Sequence, residues 1–212
     1  MDLIFGNHTS FQRYFMHIPT LETQRLIMRK ITPKDTDDMY EYSKDPNVTR
    51  YLLWYPHADR EYTKAYVKLL QRQYKRGEFF DWGLELKETG KMIGTCGITS
   101  VDYQNNSCEI GYVISEKFWN MGYATEAVKR VLRVCFDTFG FRRVEALHME
   151  GNDASGAVMK KCGMKKEGTL RDAIFVKDEY RTVCVWSILL SEYCGMTHGE
   201  EQERKDKTEN YV

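Results

Sequence analysis

Three strand patterns in a row, each joined to the next by a short turn, most constrain how this chain can fold. Residues 79–86 and 92–101 are rich in aromatic and β-branched side chains, and they flank the turn sequence 88–91 (ETGK). A second turn, 105–107 (NNS), leads into a third strand pattern at 108–114. Short turns rich in Gly and Asn between such runs are typical of hairpins. The middle of the chain is therefore predicted to form an antiparallel meander.

Helical patterns alternate with further strand patterns on both sides of the meander. A start signal marks the first helix, because Thr32 can cap it and Pro33 fits its first turn. Strands and helices mixed in this order predict an α+β fold. The predicted helices cover 32–43, 59–76, 124–139 and 155–162, and the remaining predicted strands cover 26–31, 144–149, 164–170 and 181–190.

The helix predicted at 59–76 carries a nearly continuous apolar stripe. Its members recur at the three- and four-residue spacing of one helix face, which predicts that this face is buried. Gly77 follows the pattern as an end signal. The stripe consists of Tyr62, Ala65, Tyr66, Leu69, Leu70 and, less apolar, Gln73.

Length and composition indicate one domain with an N-terminal extension and a C-terminal tail. The chain has 212 residues, of which 42% are hydrophobic and 29% charged, so it can bury a core without disulfides or metals. We expect the domain at 21–195, an N-terminal extension at 1–20 and a charged, flexible tail at 196–212. The apolar residues of the extension fit three alternatives: packing on the domain, packing on a partner, or an ordinary helix with a core face.

Charge and cysteine usage exclude several function classes. Lys plus Arg and Asp plus Glu each number 31, so the formal net charge is zero, unlike that of dedicated nucleic-acid binders or polybasic membrane anchors. The sequence shows neither a run of 18 apolar residues nor a signal-peptide pattern, so we expect a cytoplasmic protein. The six cysteines form no CxxC pair and no zinc-ligand spacing, which predicts reduced thiols and no metal site.

The segment from Glu109 to Ala127 carries the clearest chemical signal. A strand ends at Ile114, a short loop follows, and a helix begins near Gly122 and Ala124. Small residues let a ligand approach the backbone, and the free N–H groups of a first helical turn bind anions such as phosphate. The segment lacks the signatures of a Walker loop and of a dinucleotide fingerprint. Both a phosphate cradle and an ordinary tight helix entry fit this pattern.

This segment resembles motif A of the GNAT superfamily of N-acetyltransferases. The family pattern Gln/Arg-x-x-Gly-x-Gly/Ala is met by WNMGYA at 119–124, with Trp119 in the first position. In the context FWNMGYATEA, this variant is similar to the branch that acetylates ribosomal-protein N-termini. The segments LETQRLIMRKI, DPNVTRYL, GNDASGAVMKKCGMKKEGTLRD and EYRTVCVWSIL resemble other parts of that branch. The resemblance covers about 21–190 in order.

The resemblance implies a fold, a cosubstrate and a reaction. The implied GNAT fold is a mixed, mostly antiparallel central sheet of about seven strands flanked by about four helices. The implied cosubstrate is acetyl-CoA, with no metal. The implied reaction is direct transfer of the acetyl group to a primary amine, with a protein or peptide N-terminal α-amine as the favoured acceptor.

The resemblance also assigns residues that would hold coenzyme A. Three strand residues would pair with the pantetheine arm, and the Val113 N–H would face the thioester oxygen as an oxyanion donor. Backbone amides at the helix entry would bind the pyrophosphate. The strand residues are Tyr112, Val113 and Ile114, and the amides are those of Met121, Gly122, Tyr123, Ala124 and Thr125.

The implied catalytic residues are Glu109 and Ser155. Glu109 would act as a base through water, for which burial must raise its low ordinary pKa; a half-buried, ion-paired Glu is the alternative. Asn152 and Ser155 match the family's Asn-x-x-Ser element, in which Asn152 would bond the pantetheine and Ser155 would lie near the sulfur. Plain N-capping is the alternative for both. Many family members carry a Tyr general acid where this chain has Met159, so that role passes to Ser155 or water, or is not needed.

The resemblance places the acceptor near Trp54 and Tyr55, with Tyr180 on the opposite wall; a core patch under a loop is the alternative. About a tenth of an α-amine is neutral at pH 7, against roughly one lysine amine in two thousand, so a modest base favours an α-amine. The alternatives are a small-molecule amine, such as an antibiotic or polyamine, and a non-catalytic acyl-CoA-binding module. The expected partners are acetyl-CoA and the amine acceptor, without nucleic acid or membrane, in a monomer or homodimer.

Overall fold

The computed structural model describes residues 7–196, with side chains from residue 11 onward. One eight-stranded sheet forms its centre, in the order β1-β2-β3-β4-β5-β6-β8-β7. All neighbouring strands are antiparallel except β5 and β6. The strands are β1 (Leu21–Glu22), β2 (Leu26–Arg29), β3 (Asp81–Leu86), β4 (Met92–Asp102), β5 (Ser107–Ile114), β6 (Arg143–Met149), β7 (Lys165–Val176) and β8 (Glu179–Leu189).

Helices cover both faces of this sheet. Short 3-10 turns at Pro33–Asp35 and Glu116–Phe118 precede α2 and the loop before α5, and a π-helical turn, Val134–Thr138, extends α5. The helices in the described part of the chain are α1 (Asn7–Met16), α2 (Thr36–Ser43), α3 (Pro46–Thr49), α4 (Arg60–Arg76), α5 (Tyr123–Arg133), α6 (Asp153–Lys161) and α7 (190–196).

The predicted α+β fold and the predicted meander are confirmed. Strands β3, β4 and β5 pair in sequence order, and the turn between β3 and β4 lies where the ETGK signal placed it. The sheet has one strand more than expected because the two-residue β1 pairs with β2. The helices outnumber the expected four because α1, α3 and α7 were not predicted: α1 lies in the N-terminal extension, and α3 and α7 are short.

Two apolar clusters lie on opposite faces of the sheet. The larger one joins the sheet to α1, α5, α6 and α7, and the smaller one joins it to α2, α3 and α4. Phe11 and Phe15 of α1 are 2% and 0% exposed and contact Phe80 and Phe139. Within the extension predicted at 1–20, helix α1 therefore packs on the domain through a core face, which agrees with the first and third of the alternatives.

Helix α4 buries a different face from the predicted one. Thr63, Val67, Leu70 and Tyr74 face the core, whereas Tyr62, Ala65, Tyr66 and Leu69 of the predicted stripe are exposed and Gln73 is half-buried. Only Leu70 belongs to both sets. The prediction was wrong because two overlapping sets of residues on this helix have helical spacing. Thr63 can face the core because its hydroxyl lies 2.8 Å from a buried partner, His57 Nδ1. As a consequence, the side chains of Tyr62 and Tyr66 are exposed.

Several other expectations concern the chain as a whole. The described residues include no helix long and apolar enough to cross a membrane. Within 7–196, no group of three or more His, Cys, Asp or Glu side chains is arranged to hold a metal ion. The six cysteines are free, and five of them are buried. Apart from Met196, the tail predicted at 196–212 lies outside the described residues.

Candidate active site

The parallel strands β5 and β6 diverge soon after they meet. They pair over only three residues each, ending at Glu109 and Glu145. Beyond that point β5 stays paired with β4 up to Ile114, and β6 stays paired with β8 up to Met149. The separation leaves the facing backbone edge of each strand without a strand partner. A cleft of about 620 Å³ opens there.

The predicted donor-binding residues gather around this cleft. Its walls come from the end of β5, the entry of α5 and the entry of α6. The Met121 side chain does not line it and is 53% exposed, although the prediction for this residue concerned its backbone amide. The lining includes Tyr112, Val113, Ile114, Gly122, Tyr123, Ala124, Thr125, Asn152 and Ser155.

The entry of α5 has the geometry of an anion site. Gly122 is the N-terminal cap and has a φ of 83°, a left-handed conformation that glycine adopts without strain. The first intrahelical bond runs from the Glu126 N–H to the Gly122 carbonyl, so the preceding amides have no helical acceptor. These free N–H groups and the helix dipole favour a phosphate group at this end of the cleft.

Arg25 ties the N-terminal strands to the entry of α5. Its Nε donates to Glu126 at 2.7 Å, its Nη1 donates to the Met121 carbonyl at 2.9 Å, and its guanidinium lies 4.2 Å from the centre of the Tyr123 ring. Burial alone would raise the pKa of Glu126, but hydrogen bonds from Thr23 and Arg25 bring it below its ordinary value. The loop conformation is thus held by a charged contact from the distant β1–β2 turn.

At the entry of α6, Ser155 has two partners. Its N–H donates to the Asn152 side-chain oxygen at 3.4 Å, so Asn152 caps the helix. Its hydroxyl lies 2.8 Å from the Tyr112 hydroxyl, which also lies 3.0 Å from the Ser155 carbonyl. Burial raises the pKa of Tyr112, which keeps the phenol neutral. Met159 is 1% exposed and packs in the core.

Glu109 sits in a smaller pocket next to the diverging strands. This pocket, of about 340 Å³, is also lined by Arg143 and Glu145. Burial raises the pKa of Glu109; a hydrogen bond with Thr99 opposes this, and the charge of Glu145 adds to it. Arg143 pairs with Glu145 rather than with Glu109. The half-buried carboxyl that the sequence predicted is present, but no ion pair holds it among the described residues.

The three predicted acceptor residues, Trp54, Tyr55 and Tyr180, do not line the large cleft. Trp54 packs beside His57 with ring centres 5.2 Å apart. The Tyr55 hydroxyl donates to Asp178 at 2.8 Å, which joins the segment before α4 to the β7–β8 turn. Tyr180 is 66% exposed. The cleft is lined instead by Tyr51 and Leu52 from the same segment, and by Lys161 of α6.

Comparison with known proteins identifies the family. The family model of the acetyltransferase (GNAT) domain matches residues 25–165, more than half of the chain. This chain belongs to the GNAT acetyltransferase family. It is an N-acetyltransferase of the GNAT type, and ribosomal-protein acetyltransferases are among its relatives.

Individual GNAT relatives align over most of their length. The uncharacterized N-acetyltransferase p20 of Bacillus licheniformis is 32% identical over 83% of this chain and 99% of its own. The [ribosomal protein uS5]-alanine N-acetyltransferase of Escherichia coli K12 is 25% identical over 76% of this chain and 86% of its own. A GNAT-family acetyltransferase from Bacillus anthracis has a TM-score of 0.72 and 26% identity over 82% of this chain and 99% of its own.

GNAT enzymes use acetyl-CoA, and the cleft fits such a ligand. An open strand edge can accept the amide-containing pantetheine arm, as a sheet edge accepts an added strand. The α5 entry lies in the same cleft and offers unpaired amides to a pyrophosphate. The cleft therefore presents a strand-like surface and an anion site together.

Two residues that contribute to the site carry no local sequence signal. Arg25 reaches Met121 across 96 residues of chain. Tyr51 lies next to Gly151: its hydroxyl is 3.4 Å from the position that a Cβ atom on Gly151 would occupy. Motif A, in contrast, could be recognised in the sequence, because a helix entry with small residues is a local pattern.

Proposed function

We propose that this chain transfers the acetyl group of acetyl-CoA directly to the α-amine at a protein or peptide N-terminus. The observation that carries the proposal is the strand-shaped gap between β5 and β6, which leads to the anion site at the α5 entry. The acceptor class is supported by the similarity to the uS5-alanine N-acetyltransferase of Escherichia coli. The free cysteines are consistent with the expected cytoplasmic location.

On the donor side, the chain's contribution is binding and orientation. The unpaired edge of β5 at Tyr112–Ile114 holds the pantetheine arm, with the Val113 N–H toward the thioester oxygen. The charge that develops on this oxygen during attack is stabilised by a fixed backbone dipole. The amides from Met121 to Thr125 hold the pyrophosphate, and Asn152 positions the start of α6.

Proton transfer divides between Glu109 and Ser155. The ammonium of the acceptor gives a proton to Glu109 through water, and the neutral nitrogen then bonds to the thioester carbon. The carbon–sulfur bond then breaks. The thiolate takes a proton from the Ser155 hydroxyl or from water, and the proton that the attacking nitrogen still has to lose replaces it on that oxygen. A carboxyl whose pKa is raised by burial is a better base near neutral pH than an ordinary Glu.

Met159 cannot donate a proton, and in this scheme Tyr112 is the phenol that assists Ser155. Its neutral hydroxyl is within hydrogen-bonding distance of Ser155 Oγ. A hydrogen bond donated by Tyr112 to this oxygen leaves the Ser155 proton free to be directed toward the sulfur. Tyr112 acts through Ser155 and is therefore a positioning residue. Its ring belongs to the cleft wall in any case.

The test is release of the coenzyme A thiol from acetyl-CoA across a panel of acceptors. The panel contains peptides beginning with Ala, Ser or Met, lysine peptides with blocked N-termini, polyamines and aminoglycosides. We expect turnover with free peptide N-termini and none with the blocked peptides. Turnover confined to small amines would overturn the acceptor and leave the donor site intact. Binding of acetyl-CoA without turnover on any amine would favour the binding module.

A further inference from the structure

The turn between β7 and β8 has an unusual sequence for its backbone conformation. Val176 pairs with Glu179, so the turn consists of Lys177 and Asp178, whose φ values are 52° and 63°. Two-residue hairpin turns with positive φ at both positions ordinarily carry Asn-Gly or Asp-Gly. Lysine adopts this left-handed region only at a conformational cost. Such a residue persists where its surroundings hold it, and it directs attention to what its side chain does.

Both turn side chains bind the α3–α4 segment, residues 49–55. The Lys177 ammonium donates to the Thr49 carbonyl at 2.6 Å and lies 5.8 Å from the centre of the Tyr55 ring. The Tyr55 hydroxyl donates to the Asp178 carboxylate at 2.8 Å. Together these two hydrogen bonds form the turn contact. The identity of the turn residues is thus explained by the partners that they bind and not by turn preference.

The turn contact bridges the two parts of the sheet that separate between β5 and β6. The α3–α4 segment belongs to the five-stranded part, β1 to β5, because its Leu52 packs against the apolar cluster that contains Met92 of β4. The β7–β8 hairpin belongs to the three-stranded part, because β8 pairs with β6. On the face covered by α5 and α6, the hydroxyls of Tyr112 and Ser155 bridge the same gap. The donor cleft is therefore bridged on both faces of the sheet.

The segment that the turn contact holds is also a wall of the donor cleft. Residues 50–52 line the cleft, and they lie between Thr49 and Tyr55, the two residues that bind the turn. Within this wall, Tyr51 reaches toward the end of β6, where its hydroxyl lies next to Gly151. The position of the wall relative to β6 therefore depends on bonds made by the β7–β8 turn.

We propose that Lys177 and Asp178 are positioning residues, which hold the cleft wall at 50–52 in place and thereby fix the width of the gap between β5 and β6. This inference rests on the proposed function, which places acetyl-CoA in that gap. A gap of fixed width binds the donor without the ordering cost that a mobile wall adds. It also keeps the thioester aligned for attack, where a displacement of about 1 Å can lower the rate about a hundredfold.

The test replaces the turn by the sequence that its backbone prefers. The double variant Lys177→Asn/Asp178→Gly suits positive φ at both positions but removes both bonds of the turn contact. We expect its Tm to stay within about 2 °C of the wild type, because relief of the turn conformation offsets the lost bonds. The Kd of coenzyme A should rise about fivefold, and kcat/KM for acetyl-CoA should fall about tenfold. Asp172→Gly, which should change neither, is the matched control, because Asp172 of β7 also has a positive φ, 49°, and an exposed side chain.

Single variants provide the same comparison if the double variant does not fold. Tyr55→Phe removes one bond without changing the turn and should weaken coenzyme A binding. Asp178→Asn keeps an oxygen acceptor for the Tyr55 hydroxyl and should not.

Two results would overturn the proposal. One is a Kd and a kcat/KM that stay within about twofold of the wild type when the turn contact is removed. The other is an equal loss in Asp172→Gly, which would assign the effect to the conformation of β7. Failure of the proposed function is distinguishable, because calorimetric binding of coenzyme A needs no acceptor. A wild type that binds coenzyme A but acetylates no amine would overturn acetyl transfer alone.

Discussion

Strand β5 presents two unlike faces. Toward α5 and α6, Tyr112 is neutral and its hydroxyl lies within hydrogen-bonding distance of Ser155. Toward α2 and α4, the sheet carries Glu109 and, at the start of β3, the half-buried Asp81. Burial raises the pKa of both carboxyls, and neither has a cationic partner among the described residues. The donor side is thus satisfied internally, whereas the other side keeps unpaired negative charge.

This difference separates what the fold provides from what the individual sequence adds. Backbone groups and a neutral hydroxyl pair can hold acetyl-CoA, a substrate shared by the family, with little dependence on pH. Unpaired carboxylates lower the stability of the folded protein, so their presence makes them candidates for a functional role. Each variant below changes a residue on one side of the sheet, and the measurement shows whether activity or stability depends on that side.

The largest effect is expected from Gly122→Val on the donor side. A branched side chain at a φ of 83° forces the α5 entry out of its anion-binding conformation. We expect about a thousandfold loss of kcat/KM for acetyl-CoA, comparable to losing several charge-assisted hydrogen bonds. Gly140→Val is the control, because Gly140 also has a positive φ, 65°, and open space around it. Equal losses in both variants would mean that general backbone strain is responsible.

The second effect concerns stability and contrasts the buried carboxyl of Asp35 with the half-buried carboxyl of Asp81. Burial alone would raise the pKa of Asp35, but hydrogen bonds from Arg29 and Thr32 bring it below its ordinary value. Asp35 therefore stabilises the fold above its unfolded pKa, and this stability is lost as the pH falls through its folded pKa. Asp35→Asn should lower the free energy of unfolding at pH 7 by about 3 kcal/mol.

Asp81→Asn should change stability in the opposite direction. Because the folded pKa of Asp81 is raised to about 7, the wild type loses stability as the pH rises from the unfolded pKa through this value. The Asn variant lacks that loss and should be the more stable protein at pH 8. Urea unfolding at several pH values measures both variants, and two changes of the same sign would contradict the distinction between paired and unpaired carboxyls.

The third effect is on the chemical step at Glu109. Glu109→Gln should lower kcat about a hundredfold, the usual contribution of a general base. The wild-type rate should rise with pH through the raised pKa of Glu109, and the variant should lack this limb. Glu145→Gln removes a neighbouring negative charge, so it should move the limb to lower pH with kcat retained. An unchanged rate in Glu109→Gln would remove Glu109 from the mechanism.

The smallest effect is expected from Tyr112→Phe. Loss of the hydroxyl leaves Ser155 without its orienting partner, which should lower kcat about tenfold while KM for acetyl-CoA stays within twofold. Tyr193→Phe is the control, because its hydroxyl bonds Asp137 away from the cleft. In Ser155→Ala the further change to Phe at 112 should have no additional effect. Additive losses in the double variant would show that Tyr112 does not act through Ser155.

The sequence predicts the fold better than it predicts the acceptor side. Turn signals and helix entries are local, so the meander and the α5 entry could be identified from adjacent residues. The buried face of α4 could not, because two stripes share helical spacing and only the packed sheet selects one. Asp81 gives no signal either: an aspartate at the start of a strand is an ordinary turn residue until the glycine of the next strand lies beneath it.

The short β5–β6 pairing also has a thermodynamic consequence. Three residue pairs join a five-stranded part of the sheet to a three-stranded part, and the proposed donor position is the line along which they separate. A strand-like ligand at the free edge of β5 would extend the ladder that the polypeptide leaves short. Folding and donor binding are then linked equilibria, and a hundredfold excess over Kd adds about 2.7 kcal/mol to the stability of the native state. Under the proposed binding mode, an excess of acetyl-CoA over its Kd therefore holds the two parts of the sheet together more firmly.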